Sequence, residues 1–96
     1  MDRLTELRQK KAEVAALASR FGARNLRVFG SVVRGEDRSD SDVDLLVEFE
    51  PGRGLFAQSR LMRELEGLLG FKVDVISENG LRSRVRSHVL QEALPL

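Results

Sequence analysis

Two short apolar runs, VDLLVEF (43–49) and FKVDVI (71–76), flank a long stretch with helical periodicity, and this arrangement constrains the fold more than any other feature. Between Leu55 and Leu69, the residues Leu61, Met62, Leu65, Leu68 and Leu69 recur on one side, the mark of an amphipathic helix. Pro51-Gly52 ends the first run, and Gly70 closes the helix. A strand, a long helical link and a second strand predict a parallel pair joined by a right-handed crossover. The near-continuous apolar character of the first run predicts cover on both faces.

The rest of the chain adds three helices and a strand to this unit. Leu4, Leu7, Val14, Leu17 and Phe21 form a helical stripe over Leu4–Phe21, with Gly22 as its stop. The segment NLRVFG (25–30) reads as a strand broken at Gly30-Ser31, where Ser31 is placed to cap a brief helix over Val32–Arg34 that Gly35 ends. Glu36–Ser41 is a polar loop. Asn79 is placed to cap a last helix in which Leu81, Val85, Val89 and Glu92 share a face. The expected order is α-β-α-β-α-β-α, an α/β (α+β) fold with a small mixed sheet of three to four strands and helices packed against it.

Ninety-six residues fit a single domain spanning 1–96, with one small core and no room for a separate acceptor-binding domain. A net charge of +1 gives no global field towards nucleic acid or membrane. There is no cysteine, hence no disulfide framework and no thiolate metal site. The N-terminus lacks a signal-peptide pattern, and no stretch approaches the roughly 20 apolar residues of a spanning helix. The expectation is a cytoplasmic protein. Arg82, Arg84 and Arg86 do not share one helical face, and Trp and Tyr are absent for base stacking, so nucleic-acid binding is not expected. His88 reads as a surface residue.

Chemistry concentrates at the mouth of the first apolar run. Asp42 and Asp44 are two apart, so strand alternation puts both on one face, about 7 Å apart along the chain. Like charges there repel, and desolvation raises the cost. A divalent cation between them removes it, and hard oxygen ligands suit Mg²⁺. Asp40-x-Asp42-x-Asp44 is not a calcium loop, because its sixth and twelfth positions are Leu45 and Pro51. Asp74 is an acid inside a short apolar strand, costly there if unpaired. It joins the other two if its strand lies beside theirs; otherwise a bridge to Lys72 or an arginine accounts for it. Gly30-Ser31, a strand-to-helix turn with free N–H groups and a hydroxyl, suits an anion. Arg34, one turn on, reaches the same anion or pairs with Glu36 or Asp37. There is no P-loop motif.

The joint pattern GSVVRGEDRSDSDVDLLV (30–47), followed by Asp74 in a later strand, resembles the nucleotidyltransferase superfamily that includes DNA polymerase beta, and in particular its minimal nucleotidyltransferase (MNT) proteins. The resemblance covers nearly the whole chain. It implies that Gly30 and Ser31 hold nucleotide phosphates, that Asp42 and Asp44 bind Mg²⁺, and that Asp74 completes the metal site and helps activate the acceptor hydroxyl. Arg34 and Ser41 fall inside the same motif as nucleotide-binding candidates. Many MNT proteins accompany a HEPN-domain protein, the pair resembling a toxin–antitoxin system in which the MNT antitoxin transfers AMP from ATP to a tyrosine of the toxin. The alternative is a non-catalytic nucleotide-binding module that neutralises its partner by occlusion. The oligomeric state is left open.

Overall fold

A computed structural model describes residues 2–36 and 42–96. Its frame is the crossover expected from sequence. Strand β2 (Val43–Phe49) lies parallel to β3 (Val73–Ser77), in register from Val43↔Val73 to Val47↔Ser77, and helix α4 (Leu55–Leu69) links them. Leu61, Leu65 and Leu69, four residues apart on α4, are buried against the sheet. Gly70 takes a left-handed conformation that ends the helix, its N–H donating to Glu66 O at 2.8 Å. Two α4 side chains also bond β3: Gln58 Nε2 donates to Val75 O at 2.7 Å, and Glu66 Oε2 accepts from Val73 N at 3.0 Å.

Strand β1 (Ala23–Phe29) pairs antiparallel with the other side of β2, and the two-residue β4 (Leu94–Pro95) pairs antiparallel with β1. The sheet order is β3-β2-β1-β4, a mixed four-stranded sheet. One face carries Val28, Val43, Leu45, Val47, Val73 and Val75, which form the core with Leu7, Val14, Ala18 and the α4 leucines. The residues that alternate with them, Arg27, Phe29, Asp44, Leu46, Asp74 and Ile76, lie on the second face. Leu46 is fully buried there, as cover on both faces requires.

Three local expectations are corrected. The stripe over Leu4–Phe21 is two helices, α1 (Arg3–Gln9) and α2 (Lys11–Arg20), broken at Lys10. Lys10 Nζ donates to Leu68 O at 3.0 Å, so a tertiary bond to the end of α4 holds the joint. Ser31 opens helix α3 (Ser31–Arg34), but Gly30 occupies the cap position. Asn79 does not cap the last helix. It lies in a 3₁₀ turn (Glu78–Gly80), and α5 begins four residues later as Ser83–Glu92. Within α5, Val89 is buried while Val85 is 47% exposed. Among the described residues, no helix is long and apolar enough to cross a membrane.

Candidate active site

Strand directions decide what meets at one end of the sheet. Because β1 runs antiparallel to β2, β1 ends where β2 begins; because β3 is parallel to β2, β3 begins there too. Register then lines up Phe29, Asp44 and Asp74 on the second face. Asp44 and Asp74 are direct partners on adjacent strands, about 4.8 Å apart at the backbone. Asp42 lies one residue before β2 and is exposed.

The Gly30 turn crosses this row. Its backbone (φ 84, ψ −155) lies in a region essentially reserved for glycine. A Cβ at this position would run into Asp44 Oδ2. Glycine therefore serves twice, giving the turn its conformation and letting it lie against a carboxylate. Gly30 O accepts from Val33 N and Arg34 N, which starts α3. Ser31 is half-buried beside it.

Two pairs and a backbone bond tie Arg34 and Gly30 to their surroundings. Arg34 Nε meets Glu36 Oε1 at 2.6 Å, and Arg34 Nη1 meets Glu92 Oε1 at 2.6 Å. Gly30 N donates to Glu92 Oε2 at 2.9 Å. Glu92 ends α5 and was not singled out as a site residue. Its place on the helix face of Val85 and Val89 is the local signal, but its partner lies 62 residues away and is set by topology. The Arg34 guanidinium and the Gly30 N–H hold the Glu92 carboxyl below its usual range.

The aspartates behave in the opposite sense. Burial raises the Asp44 carboxyl to about 6, and the neighbouring carboxylates of Asp74 and Asp42 add to the rise. Asp74 is raised too, first by burial and then by Asp42. Among the described residues, no ion pair or hydrogen bond reaches the carboxylates of Asp42, Asp44 or Asp74; the bridge from Asp74 to Lys72 or an arginine does not form. Unpaired carboxylates of this kind can take a cation. Two paired carboxylates with a third at the rim are hard oxygen donors of the kind Mg²⁺ takes. As they stand, no group of three or more His, Cys, Asp or Glu side chains among the described residues is placed to hold a metal ion. Ser41 and Asp40 lie outside the described residues. A surface hollow lined by Phe56, Ser59, Arg60, Arg63 and Glu64 involves none of this row.

The nucleotidyltransferase domain family matches residues 7–96, and the chain belongs to it. The protein adenylyltransferase MntA of Thermococcus cleftensis is 46% identical over 78 residues, which cover 81% of this chain and 79% of that one. A solved structure of a candidate minimal nucleotidyltransferase matches all of this chain and 97% of its own, with a TM-score of 0.86 and 56% identity. A complex from Shewanella oneidensis, in which a tri-AMPylated HEPN toxin is bound to its MNT antitoxin, contains a chain that matches 92% of this one and 69% of its own length at a TM-score of 0.70. At 16% identity that likeness is one of fold.

Proposed function

We propose that this nucleotidyltransferase moves AMP from ATP onto a hydroxyl, a tyrosine's, of a HEPN-domain partner protein, and so acts as an antitoxin. The observation that carries the reading is the Asp44–Asp74 pair at the sheet end where the Gly30 turn lies against Asp44. The adenylyltransferase name of the Thermococcus relative supports the reaction, and the Shewanella complex supports the kind of partner.

Each residue has a task. Gly30 and Ser31 present N–H and hydroxyl donors to the phosphates, and the Arg34 guanidinium adds positive charge. Ser41 belongs to the same proposed nucleotide site. Asp42 and Asp44 hold Mg²⁺, with Asp74 completing the set. The bound metal would supply charge stabilisation to the phosphoryl oxygens and the leaving pyrophosphate. The acceptor oxygen forms a bond to the α-phosphorus, and the bond from that phosphorus to the bridging oxygen breaks. Asp74, half-buried beside Asp44, would take the hydroxyl proton. Positioning contributes much of the rate, as in other phosphoryl transfers.

The test incubates the protein with labelled ATP, Mg²⁺ and a HEPN-domain protein of the same genome. Label is expected on the partner with the wild type and not with Asp42→Ala/Asp44→Ala. No transfer by the wild type would defeat the proposal. If the folded double variant still protects cells from the partner, occlusion is the function instead.

A further inference from the structure

Glu92 occupies the groups that the preceding proposal gives to the nucleotide's phosphates. Its side chain is 13% exposed, and each carboxylate oxygen has one partner: Oε2 accepts from Gly30 N at 2.9 Å, and Oε1 accepts from Arg34 Nη1 at 2.6 Å. A carboxylate bridging a backbone N–H and a guanidinium makes the same two charge-assisted bonds a phosphate would make. The other Arg34 contact, to Glu36, joins side chains 45% and 63% exposed, and an exposed pair of this kind holds weakly. Arg34 is thus paired twice, and Glu92 is the less exposed of its two partners.

A carboxylate is a costly choice for a mere strut at this place. Three aspartates already crowd the sheet end, and Glu92 brings a fourth carboxylate to it. A neutral amide would brace the turn without that repulsion. The attachment is also easily undone. Glu92 is the last residue of α5, a helix with Val89 as its buried residue, and it leads through extended Ala93 into the two-residue β4. Withdrawing the side chain breaks two hydrogen bonds and leaves the core intact.

We propose that Glu92 is a phosphate stand-in: it holds the Gly30 turn and Arg34 in the nucleotide-free protein, and an incoming nucleotide phosphate displaces it. Glu92 thus sets nucleotide affinity, a role that rests on the nucleotidyltransferase reading of the site. No covalent bond changes. The Gly30 and Arg34 N–H donors exchange a carboxylate for phosphate oxygens, and Glu92 swings out ionised.

The test is calorimetric titration of wild type and Glu92→Gln with AMP-PNP and Mg²⁺. The variant is expected to bind about tenfold tighter, the scale of one hydrogen bond to a charged group no longer sacrificed. In the wild type, the ¹³C signal of the Glu92 carboxyl should move to the position of a free carboxylate as AMP-PNP saturates the site. Equal or weaker binding by the folded variant would overturn the proposal, as would a Glu92 signal that stays put while AMP-PNP binds. Either failure with a nucleotide-binding wild type leaves the functional reading standing. If neither protein binds AMP-PNP, both readings fall. Should Glu92→Gln not fold, the wild-type carboxyl signal decides.

Discussion

Replacing Asp44 by Asn should stabilise the metal-free protein while destroying its activity. The change keeps the side chain's shape against Gly30 and removes a charge that burial, Asp74 and Asp42 all oppose. The Asp44 carboxyl moves from 3.8 to about 6; at about 1.4 kcal/mol per pH unit this is at most about 3 kcal/mol. Water reaches the half-buried group and screens it, so the gain at pH 7.5 should be about 1 kcal/mol. In a domain of this size that raises the Tm by about 4–8 °C. The pH dependence follows from the same shift. The folded state keeps a proton on Asp44 that the unfolded chain has released, so this group favours folding most below about 4 and progressively less as pH rises through about 6. Glu78 and Glu92 are shifted the other way, and their contributions are lost only as pH falls below the ordinary glutamate range. Comparing wild type with Asp44→Asn by urea denaturation in chelator at pH 5 and pH 7.5 therefore reads the contribution of Asp44. The wild type should lose stability between the two, and Asp44→Asn should lose less. A variant less stable than wild type at pH 7.5, or one with an unchanged pH slope, would refute the reasoning.

Gly30→Ala forces a side chain into a glycine-only conformation and against Asp44, so it should cost about 1–3 kcal/mol in urea denaturation. Gly67→Ala, on an exposed stretch of α4 with open space around it, should instead gain about 0.5–1 kcal/mol by the same measurement. Glu78→Ala removes the partner at 2.8 Å from Arg27, whose side chain is 11% exposed and whose Nη2 already lacks a partner among the described residues; a loss of about 1–3 kcal/mol is expected by denaturation.

The crossover was legible because its parts are punctuated and strongly periodic. Val43–Phe49 and Leu55–Leu69 are bounded by Pro51-Gly52 and Gly70, and the structure has the same limits for both. The break at Lys10 was not legible, since Leu7 and Val14 keep a helical spacing across it and the bond to Leu68 O comes from tertiary packing. The start of the last helix was misplaced because Asn79 is a good cap by type, while the 3₁₀ turn absorbs it. Strand β4 is two residues long and one of them is Pro95, which argues against a strand; pairing with Arg27 and Val28 makes it one. At the site, the aspartate motif was readable, and the register had a signal that local reading passed over. Both strands open with Val-Asp, and Val43↔Val73 and Asp44↔Asp74 pair accordingly. Glu92 gave only a fainter signal, an acid on the helix face of Val85 and Val89; its partners appear once the fold returns it to Gly30.

If Asp42, Asp44 and Asp74 carry AMP transfer to a partner protein, intact-mass spectrometry of a HEPN-domain partner after incubation with ATP and Mg²⁺ will reveal it. Added AMP, mapping to tyrosine, is expected with the wild type and none with a folded Asp74→Asn or Asp42→Ala/Asp44→Ala protein. An unmodified partner with the wild type, or equal modification by these variants, would contradict it.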